Sequence, residues 1–107
     1  MTTPRVLITG GTGLLALNWA CAVRDTWDVV LGTHQHSVQL RKTRAVKLDL
    51  DDSAQFGHQL DELAPDLVVH TVGMTDVDRC EKEPDLARYS NAEIARNVAQ
   101  AAADKKI

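Results

Sequence analysis

Short apolar runs alternate along this chain with stretches in which apolar residues recur every three or four positions. Val6, Leu7 and Ile8 form the first run, which stops at a cluster of glycines. Beyond it, Leu15, Trp19, Ala22 and Val23 recur at helical intervals, as in a helix with one core-facing stripe. Val29, Val30 and Leu31 predict a second strand. A third is predicted over residues 45–50, where Val46, Leu48 and Leu50 alternate with Lys47 and Asp49. Ser53 fits the N-cap of a short helix carrying Phe56, Leu60 and Leu63 on one face, and Pro65 ends it. Leu67, Val68 and Val69 open a fourth strand that runs on through His70 and Thr71 toward Gly73. Thr75 and Asp78 stand at capping-box spacing for a brief helical turn. Pro84 then suits the first turn of a long helix bearing Leu86, Tyr89, Ile94, Val98 and Ala101. Between the second and third strands, residues 32–44 lack a helical stripe. They read as a loop in which only Val38 and Leu40 offer anything to bury.

Strands that alternate with helices and are apolar on both faces imply an α/β fold, a doubly wound parallel sheet covered on each side. The length of 107 residues, with 44% hydrophobic and 25% charged, fits one domain over residues 1–107 and excludes a disordered or disulfide-scaffold protein. A net charge of −3 gives no footprint for nucleic acid or an acidic membrane. Cys21 and Cys80 have neither metal-ligand nor CxxC spacing, so packing roles in a reduced, cytoplasmic setting are expected. The first 23 residues superficially imitate a secretory signal, but the glycine cluster and Asn18 break the apolar stretch. No run approaches the roughly 18 apolar residues of a membrane span.

The glycine cluster carries the chemistry. Gly10, Gly13 and Ala16 give G-x-x-G-x-x-A directly between a strand and a helix. Glycines there permit a tight turn and let main-chain N–H groups approach a pyrophosphate at the helix N-terminus, while a small third residue lets the helix pack close to the sheet. A Walker A loop is excluded, because no Lys-Ser or Lys-Thr follows at the required spacing. The fold expected is therefore a Rossmann-type sheet with strand order 3-2-1-4.

An acidic residue that would read the ribose of NAD is expected about 20 residues past the glycines. Gly32, Thr33, His34, Gln35 and His36 stand there without a carboxylate, and Arg41, Lys42, Arg44 and Lys47 follow. That balance favours the 2′-phosphate of NADP, with NAD still admissible; the other reading of these basic residues is a solvated loop. His70 reads as a partly buried strand residue and not a metal ligand. Trp19 and Trp27 read as core residues, and the charges between Asp76 and Asp85 as a solvated surface.

These motifs in this order resemble the N-terminal part of an extended short-chain dehydrogenase/reductase. Residues 9–16 resemble that family's TGxxGxxG turn, with alanine in place of the last glycine. Asp49 and Leu50 resemble its adenine-contacting pair, and residues 69–73 stand at its fourth-strand motif. Thr75, Asp76, Val77, Asp78, Arg79, Cys80, Glu81 and Pro84, followed by Ser90, Asn91 and Ala92, are similar to the dTDP-4-dehydrorhamnose reductase branch. They are also similar to its relative, the regulatory beta subunit of methionine adenosyltransferase.

The resemblance implies cofactor contacts from Gly10, Thr12, Gly13, Leu14, Leu15, His34, Gln35, His36, Asp49, Leu50, Thr71, Val72 and Gly73, with Asn91 supporting the site. It further implies hydride transfer to a small-molecule keto sugar nucleotide, and is compatible with a homo-oligomer. The family's catalytic Tyr-xxx-Lys pair does not occur here: Tyr89 is the single tyrosine, and Glu93 stands four positions on. The sequence is accordingly expected to be the cofactor-binding part of a longer reductase, inactive by itself, with its fourth strand left as an apolar sheet edge. The alternative is a non-catalytic, NADP-binding regulatory subunit.

Overall fold

The computed structural model describes residues 3–107. Four strands, β1 (Arg5–Ile8), β2 (Asp28–Thr33), β3 (Thr43–Lys47) and β4 (Leu67–Val69), form an all-parallel sheet in the order β3-β2-β1-β4. The expected Rossmann-type topology is thus the observed one. The helices are α1 (Leu14–Val23), α2 (Ser53–Leu63), α3 (Val77–Lys82), α4 (Pro84–Arg88) and α5 (Ile94–Asp104). A π-helical turn, Tyr89–Glu93, joins α4 to α5 without a break in the helical path.

Alternation along the strands splits the core in two. Leu7 and Val30 face α2 and α5, where Leu48, Phe56, Leu60, Ile94 and Val98 close one cluster. Val6, Ile8, Val29 and Leu31 face the other side, against Ala16 and Ala20 of α1. Both central strands are therefore buried on both faces, which is why their sequences are uninterrupted apolar runs. At the two edges the sheet is less covered: β3 is mostly exposed, and Leu67 of β4 is 41% exposed.

Several local expectations are corrected. The buried stripe of α1 is Ala16 and Ala20 with Leu17 and Val23 packed beside them; Leu15, Trp19 and Ala22 are exposed. A helix that starts from a tight turn lies close to the sheet, so small residues face inward and Trp19 is turned out. Trp27 does pack against this cluster. Cys21 is exposed, not packed, because it too falls on the outer face of α1.

The N-cap of α2 is Asp52 and not Ser53, since the Asp52 carboxylate accepts from Ala54 N and Gln55 N, both at 3.1 Å. Likewise Asp76, not Thr75, caps α3 through Arg79 N. Pairing with β2 starts β3 at Thr43, two residues before the predicted position, and β4 ends at Val69. The predicted long helix is the α4, π-turn and α5 path, with Pro84 in its first turn.

Candidate functional site

At the C-terminal edge of the sheet, β1 runs into the glycine turn and meets the end of β4. Thr9, fully buried, is the joint. Its N–H donates to Val69 O at 2.9 Å, and its Oγ1 accepts from Thr71 N at 3.0 Å. The Thr71 hydroxyl donates to Thr9 O at 2.6 Å. Gly10 follows at φ +66°, a conformation that costs other residues strain. A Cβ there would stand 2.6 Å from Thr71 Oγ1, so only glycine lets the two strand ends close this tightly. The turn is tied to β2 as well, since Gly11 N donates to Gly32 O at 2.8 Å.

The turn delivers the chain to α1 with its first N–H groups unengaged. Gly13, the N-cap, has an extended backbone and no side chain to cap with, and no acidic residue lies in the first turn. Leu14 N and Leu15 N have no acceptor among the described residues. Unpaired N–H groups at the positive end of a helix dipole form an anion site.

This helix end opens on a groove of about 580 Å³, within the usual range for small-molecule sites. Gly10, Gly11, Thr12 and Gly13 line its middle. Gly32, Thr33, His34, Gln35 and His36 line one end with Leu48, Leu50 and Asp51. Thr71, Val72, Gly73, Met74 and Arg79 line the other. Leu86, Tyr89, Ser90 and Ile94 of the long helix complete its wall.

Most of the residues singled out from sequence are thus brought together, with exceptions. Leu14 and Leu15 do not line the groove with side chains, Leu14 being 81% exposed; what they can offer it is backbone N–H. Asp49 is turned aside: its N–H donates to Gln59 Oε1 and its carboxylate accepts from Asp51 N. Asn91 lies behind the wall and clamps it, its Oδ1 accepting from Met74 N at 2.6 Å and its Nδ2 donating to Met74 O at 3.0 Å.

Arg41, Lys42 and Arg44 do not reach the groove, whereas Lys47 ends β3 opposite Thr33, at the groove's own edge of the sheet. The loop after β2 runs back along the sheet, so that Thr43 pairs with Val29 at the opposite, N-terminal edge. There Lys42 pairs with Asp25 at 2.7 Å and Arg44 lies 3.8 Å from Asp28. The Lys42 hydrogen bond and charge hold the Asp25 carboxyl below its ordinary range. Of the two readings, the solvated surface is the one observed for Arg41, Lys42 and Arg44.

Sequence reasoning missed Thr9, Gly11, Asp51, Arg79 and Tyr89. Thr9 and Gly11 stand within the motif of residues 9–16 itself, beside the contacts expected from it. Arg79 stands in the stretch that resembles the reductase branch, while Asp51 and Tyr89 come from distant segments with no local signature. The Tyr89 hydroxyl donates to Asp51 Oδ1 across 38 residues of sequence, and that hydrogen bond holds the phenol above its ordinary pKa. His70 is half-buried with Nδ1 2.8 Å from Thr9 Oγ1, and burial pushes its pKa below the ordinary 6.5. Its Nε2 has no hydrogen-bond partner among the described residues. Among those residues, no group of three or more His, Cys, Asp or Glu gathers as a metal site would require, and no helix is long and apolar enough to cross a membrane.

Residues 4–107 match the family described as RmlD substrate binding domain. The "Probable low-salt glycan biosynthesis reductase Agl14" of Haloferax volcanii is 28% identical over 94% of this chain and 33% of its own length. Among solved structures, a hypothetical dTDP-4-dehydrorhamnose reductase from Sulfolobus tokodaii is 31% identical, with a TM-score of 0.76 over 92% of this chain and 34% of that one. The dTDP-4-dehydrorhamnose reductase of Bacillus anthracis, solved in complex with NADP, is 29% identical, with a TM-score of 0.74 over 95% of this chain and 33% of that one. The chain therefore spans about a third of the length of these relatives.

Proposed function

The chain belongs to the RmlD substrate binding domain family, and on that premise we propose that it holds a nicotinamide dinucleotide in the groove as part of a sugar-nucleotide oxidoreductase. The observation that carries this reading is the bare N-terminus of α1, reached through a turn that only Gly10 can make. The pyrophosphate would take the N–H groups of Leu14 and Leu15. The adenosine half would lie toward His34, Gln35 and His36, and the nicotinamide half toward Thr71, Val72 and Gly73. Asn91 would keep the latter wall in place through Met74.

The chemistry that such a cofactor supplies is hydride transfer, here to the carbonyl carbon of a keto sugar nucleotide. The preference proposed is for NADP over NAD. It rests on His34, Gln35 and His36 at the end of β2, where NAD-selective sites place a carboxylate, and not on Arg41, Lys42 or Arg44. By itself this chain binds and does not turn over, because Tyr89 has Glu93 four positions on and its hydroxyl is engaged by Asp51. The same observation supports a second reading, a nucleotide-binding regulatory module.

Calorimetric titration with NADPH and NADH tests the proposal. NADPH should bind, and more tightly than NADH. No heat of binding from either cofactor would remove the groove assignment.

A further inference from the structure

The hydrogen bond between Tyr89 and Asp51 joins two segments that line the same end of the groove. Asp51 sits in the loop between β3 and α2, and Tyr89 opens the π-helical turn on the facing wall. The loop's other hydrogen bonds run back to its own strand and helix. Asp49 N reaches Gln59, Asp51 N reaches Asp49, and Asp52 caps α2. Among the described residues, Tyr89 supplies the one recorded hydrogen bond from this loop to the α4–α5 path. A π-turn displaces side chains from the regular helical register and recurs at functional positions. This one puts Tyr89 over the loop while Asn91, two residues on, clamps Met74 at the opposite end of the groove.

We propose that Tyr89 and Asp51 form a strap that holds the Leu48 and Leu50 side of the groove against the long helix and so fixes the seat of the adenosine half. Tyr89 is a positioning residue in this account. It acts on the cofactor through the loop, whose partly buried Leu50, packed against the core that holds Leu48, is the apolar surface an adenine ring would meet. The adenosine half is assigned to this end because in a doubly wound sheet the ribose is read at the end of the second strand. The inference rests on the dinucleotide-binding reading above.

ADP-ribose, which carries the adenosine and pyrophosphate without the nicotinamide, separates the two. Calorimetric titration of the unmutated chain should show binding; its absence would overturn the dinucleotide reading, and the strap with it. Given binding, Tyr89→Phe and Asp51→Ala should each weaken ADP-ribose about fivefold, the scale of one lost hydrogen bond, with the double variant no worse than either. Asp51→Asn should retain most of the affinity, because its amide oxygen still accepts from the phenol. Wild-type affinity in Tyr89→Phe, or losses that simply multiply in the double variant, would overturn the strap and leave the dinucleotide reading standing.

Discussion

Two helices start at the same edge of the sheet, and their first turns are built in opposite ways. α2 begins at Asp52, whose carboxylate satisfies the N–H groups of Ala54 and Gln55. α1 begins at Gly13, which has nothing to offer, and leaves Leu14 N and Leu15 N open beside the groove. Capping a helix is worth about 1 kcal/mol, and the orphan donors of an uncapped one must be met by water or a ligand. The first helix gives up that stabilisation where the chain turns tightest, at Gly10. A phosphate can supply what the missing side chain does not, which a helix already closed by its own carboxylate has no capacity to use.

Making α1 resemble α2 breaks the comparison most directly. Gly13→Asp would place a carboxylate where the phosphate is proposed to sit. Binding of NADPH should fall by at least about 100-fold, while the free protein's stability moves by less than about 1 kcal/mol, since glycine and aspartate differ little as caps. Calorimetry and thermal melting read the two effects separately. A smaller loss comes from the turn itself. Gly10→Ala meets Thr71 Oγ1 in a left-handed conformation and should cost about 2 kcal/mol of stability, seen in chemical denaturation. Asp52→Ala removes the cap from α2 and should cost about 1 kcal/mol with NADPH affinity unchanged. Weakened binding in that variant would mean that both helix ends serve the ligand.

The smallest effect concerns pH. His70 is held below its ordinary 6.5 by burial, so the unfolded chain takes up a proton first as the pH falls. Stability from this group is complete above 6.5, declines as the pH drops below it, and levels where the folded ring also protonates. Melting temperatures from pH 8 to pH 5 should show the decline, and His70→Gln should flatten it.

The sheet was legible in the sequence because β1 and β2 are buried on both faces, so each is a bare apolar run. The glycine turn was legible because its residue types have few other uses. The facing of α1 was not, because Leu14–Val23 is apolar nearly all round and offers more than one stripe. Close approach to the sheet, a tertiary demand, selects Ala16 and Ala20. Which of the two readings holds for Arg41, Lys42 and Arg44 was not legible, because nearness in sequence to the end of β2 does not give nearness in space. The loop carries Lys42 and Arg44 the length of the strand, to the opposite edge. The Tyr89 contact with Asp51 has no local pattern at all, since it depends on how the long helix crosses the sheet.

The most direct test of the contrast between the two helix ends follows backbone amide shifts by nuclear magnetic resonance as ADP-ribose is added. The amides of Thr12, Gly13, Leu14 and Leu15 should move furthest, with Ala54 and Gln55 nearly still. Unmoved amides in the glycine turn, or a response centred on the start of α2, would contradict the account.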